Sequence, residues 1–189
     1  MSALMNPPPG EHAPHAPTPT DAAAGQATHT LRLVLGDQLN PQHRWFAAVS
    51  PGVVYVLMEI RQETDYVLHH AQKIIALFAA MRALADQLQA AGHRVHYLRI
   101  DDPANRQNLG NNLRTLIAHY RPQVFEYQDP DEFRVDQNLQ AFLASDAIQV
   151  SVSSYGVDSE HFYTQRHEAA EFFAQRKQWL MEKIGRAHV

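Results

Sequence analysis

Val53-Val54-Tyr55-Val56-Leu57-Met58 is the stretch whose reading decides the fold. Six large, mainly apolar residues follow one another with no polar residue at alternate positions. A strand with one face in water alternates apolar and polar side chains, because successive side chains point to opposite faces. A strand of a parallel sheet is covered on both faces and reads as a near-continuous apolar run. The stretch therefore predicts an interior strand of a parallel sheet. Working outward, Leu31-Arg32-Leu33-Val34-Leu35 reads as a strand ending at the turn signal Gly36-Asp37. Arg94 to Ile100 alternates and stops at Asp101-Asp102-Pro103, and Gln123 to Tyr127 stops at Asp129-Pro130. Ala147 to Val152 is the fifth strand candidate.

Between these runs the period lengthens. From Tyr66 to Ala91, the residues Val67, Ala71, Ile74, Phe78, Met81, Ala85 and Leu88 recur at steps of three and four, which places them on one helix face. Gly92 supplies the stop. Further helices are expected over Asn108 to Tyr120, Asp131 to Ala144 and His161 to Lys183. The last carries Phe162, Phe172, Phe173, Trp179 and Leu180. Strands alternating with helices imply βαβ units, right-handed crossovers and a mostly parallel five-stranded sheet with helices on both faces.

Composition narrows the function classes. The chain has 189 residues and suits one domain. It has no cysteine, which excludes a disulfide framework, a thiol nucleophile and cysteine-held zinc or iron–sulfur within these residues. Its formal net charge of −4 is not the footprint of a nucleic-acid-binding domain. No apolar run approaches the ~20 residues that span a bilayer, and no secretory signal is visible, so a cytoplasmic protein is expected. Residues 1–29 hold six of the eleven prolines and almost no large apolar residues. Such a segment cannot bury enough surface to offset its ordering entropy, and a disordered leader is expected there. The α/β domain is placed at 30–158, followed by a helical segment at 159–183.

In open α/β sheets, ligands bind outside the carboxyl ends of the strands. The residues expected there are Gly36, Asp37 and Gln38 after the first strand, Glu59, Arg61 and Glu63 after the second, Asp101 and Asp102 after the third, and Gln128, Asp129 and Asp131 after the fourth. This rim is rich in carboxylates and amides and poor in lysine. Neither GxGxxG after a strand nor GxxxxGK[ST] occurs, so a polyphosphate ligand is disfavoured. A ligand bearing hydroxyls and ring nitrogens fits better. Two other readings stand beside it. Asp101, Asp129 and Asp131 could serve as helix caps, and Asp37, Asp101 and Asp102 could form the magnesium site of a receiver- or phosphohydrolase-like domain. A second polar cluster comprises Glu63, Tyr66, His69, His70 and Lys73. Tyr66, His69 and Lys73 are spaced to share one helix face, although a solvated first turn would look the same. No nucleophile constellation stands out.

Leu33-Val34-Leu35-Gly36-Asp37-Gln38-Leu39 resembles the opening of the photolyase-related proteins, the bacterial branch of the cryptochrome/photolyase family that carries an iron–sulfur cluster and includes bacterial (6-4) photolyases. The resemblance runs in order through Glu63 to His70, Lys73-Ile74, Phe78, Met81-Arg82, Val95-His96-Tyr97, Ile100-Asp101-Asp102, Glu132-Phe133-Arg134-Val135, Arg176-Lys177-Gln178 and Met181-Glu182. It implies a Rossmann-like antenna domain that holds a small-molecule chromophore, 6,7-dimethyl-8-ribityllumazine, and passes absorbed energy to a flavin. By position it implies chromophore contacts at Gly36, Asp37, Gln38, Glu63, Tyr66, His69 and Lys73, with Leu77 as an apolar wall. Ala71-Gln72 fall where relatives often have lysines.

The same resemblance implies that FAD, a 4Fe-4S cluster and the DNA-binding surface belong to a C-terminal domain outside this chain. The chain alone, expected to be a monomer, would then bind chromophore without catalysing repair. Its last residues, Ile184-Gly185-Arg186-Ala187-His188-Val189, match one reading frame of a widely used sequencing adapter and are expected to be a non-biological tail. A free-standing small-molecule binding module is the alternative.

Overall fold

Five parallel strands form one sheet in the order β3-β2-β1-β4-β5 in the computed structural model, which describes residues 27–145, 148 and 152–174. The strands are β1 (Thr30–Leu33), β2 (Val53–Met58), β3 (Arg94–Leu98), β4 (Val124–Gln128) and β5 (Ser153–Val157). The helices are α1 (Arg61–Thr64), α2 (Ala71–Ala90), α3 (Leu109–Tyr120), α4 (Phe133–Leu143) and α5 (Glu168–Phe173). A 3-10 turn at Arg44–Phe46 follows β1.

All six residues of β2 are buried, as its unbroken apolar run requires. Side chains of one parity, including Leu33, Val56 and Phe125, pack with Leu113 of α3 and Leu139 of α4. Those of the other parity, including Val34, Tyr55 and Leu57, pack with Met81, Leu84 and Leu88 of α2. Helices thus cover both faces of an α/β, Rossmann-like sheet. The chain runs β1-β2-β3 toward one edge and then returns to β4 and β5 on the far side of β1. The order reverses at β1, and a crevice opens at its carboxyl end.

Several expected boundaries move. α2 begins at Ala71, not Tyr66. His70 is extended and its imidazole accepts the Gln72 N–H, so the helix is capped there and Tyr66 to His69 form a turn and loop before it. The fifth strand is Ser153–Val157 rather than Ala147 to Val152. Val152 donates its N–H to the Ile148 carbonyl, and both side chains lie in the core. The rest of the expected strand lies outside the described residues. β5 is a largely exposed edge strand, so it lacks the apolar signature of an interior one.

α4 starts at Phe133, whose side chain is exposed, and Val135 takes the core position. Phe162 is exposed and precedes α5, while Trp179 and Leu180 lie outside the described residues, as do residues 1–26 and the tail at 184–189. The sheet's hydrogen bonding already begins at His29, which bonds to Gly52, Gln123 and Val124.

Candidate ligand pocket

A cavity of about 240 Å³ sits at the carboxyl ends of β1 and β2, at the reversal point of the sheet. Its floor comes from both faces of the sheet. Val34, Leu77, Phe78 and Met81 line it from the α2 side, and Met58, Ile60, Leu109 and Val135 from the α3 and α4 side. The first half of α2 overhangs the pocket, and its Ile74, Leu77 and Phe78 remain only partly buried. Gly36 lets α2 cross closely. A Cβ at that position would lie 3.2 Å from Met81 Sδ and 3.4 Å from Leu77 Cδ1.

Of the eight residues expected to contact a ligand, Gly36, Asp37, Glu63, Tyr66, His69, Lys73 and Leu77 all line this cavity. Tyr66, His69 and Lys73 do not share a helix face as their spacing suggested. Glu63 belongs to α1, Tyr66 and His69 to the following turn and loop, and Lys73 to the first turn of α2. Gln38 is not among the lining residues. It is fully buried, its side-chain oxygen accepts the Leu35 N–H at 3.0 Å, and its amide donates to the Gln128 and Asp129 carbonyls. Gln38 therefore ties the β1 turn to β4 beneath the pocket.

Asp37 keeps exposed surface inside the concave mouth, yet the crowding around it raises its carboxyl above the ordinary value. Desolvation is the main cause. A backbone hydrogen bond and His161 oppose it, while Asp131 and Glu132 add to it. None of the ion pairs among the described residues involves Asp37. It is a polar group left available to a ligand.

The residue that sequence reasoning missed is Arg134. Its guanidinium donates to both oxygens of Glu63, at 3.2 and 2.7 Å, and to both oxygens of Glu132, at 2.8 and 3.2 Å. It also stacks 3.9 Å from the centre of the Tyr66 ring, against whose edge His69 packs. Arg134 stood inside a quoted motif, but no spacing rule connects it with a glutamate 71 positions earlier.

The remaining rim carboxylates divide. Glu59 is fully buried and accepts hydrogen bonds from Arg82 at 2.6 and 2.8 Å, Tyr97 at 2.7 Å and the Ile100 N–H at 2.9 Å. Burial pushes its carboxyl up, and these donors outweigh burial and hold it below the ordinary value. Tyr97 is raised by its own burial and by Glu59. Asp101, Asp129 and Asp131 are not helix caps. Asn108 caps α3, and Glu132 precedes α4 without a side-chain cap bond. Asp101 pairs with Arg99, Asp131 with His161, and Asp102 accepts the Ala104 N–H. Among the described residues no group of three or more His, Asp or Glu side chains is placed to hold a metal ion, so Asp37, Asp101 and Asp102 do not come together as one cluster. No helix among them is long and apolar enough to cross a membrane.

Fold and pocket together define an α/β domain with a ligand crevice at its topological switch point. Residues 32–187 match the family described as deoxyribodipyrimidine photo-lyase-related protein, and the chain belongs to that family. Over 157 residues it is 34% identical to a (6-4) photolyase of Agrobacterium fabrum, a match covering 80% of this chain and 29% of that protein. The chain thus spans less than a third of that relative's length.

Proposed function

We propose that this domain binds an antenna chromophore, 6,7-dimethyl-8-ribityllumazine, on behalf of a light-dependent DNA-repair or cryptochrome-type protein. The observation that carries the proposal is the pocket's composition: apolar walls from α2, α3 and the strand ends, and a rim bearing Asp37, Glu63, Thr64, His69, Lys73 and Glu132. Apolar walls suit a bicyclic ring. A rim of carboxylates with one lysine suits hydroxyls and ring nitrogens and disfavours phosphate. When bound, the lumazine absorbs light and passes the energy on. The residues here bind and orient it. Asp37 and Glu63 accept from its donors, while Leu77 and Phe78 shield the ring from water. We further propose that FAD, a 4Fe-4S cluster and the DNA surface lie in sequence beyond this chain, that the domain is a monomer, and that the protein works in the cytoplasm.

Titration of the full chain with the lumazine, followed by its absorption and fluorescence polarisation, tests the assignment. Binding weaker for flavin mononucleotide than for riboflavin would support the phosphate-free reading. No spectral change with protein in excess would overturn it. Sequencing the genomic locus past the codon for Glu182 tests the placement of the flavin domain, and a genuine stop after Val189 would leave a stand-alone binding module.

A further inference from the structure

We infer that Arg134 is a latch across the ligand crevice: a positioning residue whose guanidinium clamps the segment after β2 to the start of α4 and sets how fast a bound ligand leaves. The inference rests on the ligand reading above.

The topology supplies the need. The crevice opens because β2 and β4 lie on opposite sides of β1. The backbone elements bordering it, α1 with its following turn and the N-terminus of α4, come from those two sides. Among the described residues no main-chain hydrogen bond joins these two elements; α1 is a single turn with no buried residue, held otherwise by hydrogen bonds to Gln107 and Leu109 beside α3. Segments of this kind open at low free-energy cost.

Arg134 bridges that gap with one planar group. Its donors reach Glu63 on one side and Glu132 on the other, and its face covers Tyr66. All three partners line the cavity, while Arg134 itself does not. The cation therefore acts through its neighbours. It orients the two carboxylates, which keep unused lone pairs for ligand donors, and it holds the Tyr66 ring as part of the wall. A lysine could not reproduce this, because an ammonium lacks the planar fork that serves two carboxylates and stacks on a ring.

The test uses the full chain and two variants, Arg134→Gln and Arg134→Lys. Lumazine release is followed by stopped-flow polarisation, and backbone hydrogen exchange is measured without ligand. In Arg134→Gln, both the release rate and the exchange rate of residues 61–66 are expected to rise about tenfold, the factor equivalent to roughly 1.4 kcal/mol. Exchange in β1 and α3 should stay unchanged, which separates loss of the latch from loss of the fold. Arg134→Lys should release ligand nearly as fast as Arg134→Gln. Exchange of 61–66 or release within about twofold of the parent chain in Arg134→Gln overturns the latch. A lysine variant that matches the parent overturns the role of the fork. If exchange rises but the parent chain binds no lumazine, the latch stands and the chromophore assignment fails.

Discussion

Glu59 and Glu63 both follow β2, four residues apart, and both bind an arginine through two hydrogen bonds. Glu59 has no exposed surface and spends its carboxylate on Arg82, Tyr97 and the Ile100 amide. Glu63 is about 30% exposed, and so is the Arg134 that holds it, at the edge of a cavity. The first pair pins β2, β3 and α2 together, and the second organises a surface that faces a ligand. Ion-pair geometry alone does not distinguish a structural carboxylate from a functional one. What distinguishes them is whether acceptor capacity is left over and whether it faces open space.

The largest expected effect breaks this comparison on its structural side. Glu59→Ala leaves the Tyr97 hydroxyl and the Ile100 N–H without a partner and strands Arg82. It should cost about 3 kcal/mol, the low end for breaking a buried pair because Arg82 retains some exposure. Urea unfolding measures it. Glu63→Ala should cost under about 1 kcal/mol in the same assay, as half-exposed pairs do, yet abolish or strongly weaken lumazine binding. If the two variants destabilise equally, the division between the two glutamates is wrong.

Acid titration sharpens the contrast between Glu59 and Asp37. The Glu59 carboxyl sits below its ordinary 4.5, so the folded state holds that proton less tightly than the unfolded chain. Its stabilisation is complete above 4.5 and disappears as pH falls through the folded value. Asp37 sits above its ordinary 3.8, so its sign is opposite: the stability contributed by its protonated form is full below 3.8 and is lost as pH rises through the raised value. Asp37→Asn should therefore stabilise the ligand-free chain slightly at neutral pH while weakening ligand binding. Glu59→Gln should flatten the acid limb of the stability profile. Unfolding midpoints across that range check both signs.

The smallest effect concerns shape. Gly36→Ala brings a methyl to 3.2 Å from Met81 Sδ, a contact that a flexible thioether can relieve. Stability should change by less than about 1.5 kcal/mol, and lumazine affinity should fall a few-fold as α2 shifts over the pocket. Calorimetry and the binding titration report the two parts separately.

Much of this was legible before any coordinates, and the failures share a cause. β2, the core of α2 and the whole of α3 announce themselves through periodic apolar residues, because burial on a defined face imposes a defined period. Tyr66 and Val67 were folded into α2 since their apolar and polar order continues its period, but the capping imidazole of His70 outcompetes that period locally. β5 went unread because an edge strand with little buried surface has no pattern to impose. In the pocket, seven of the eight positions named from residue type and strand ends line the cavity. Gln38 was the exception, because a buried turn needed its amide more than the cavity did.

The sequence by itself determined an α/β domain, a parallel sheet, the strand ends whose residues could meet a ligand, and family membership through ordered motifs. These depend on local period, turn chemistry and residue order, all of which are written along the chain. Only the tertiary structure decided which carboxylates are spent and which are free. That outcome depends on donors far away in sequence: Arg82 and Tyr97 converge on Glu59, and Arg134 closes on Glu63 across 71 positions. Such meetings are set by how strands are ordered in the sheet, and no local rule encodes them.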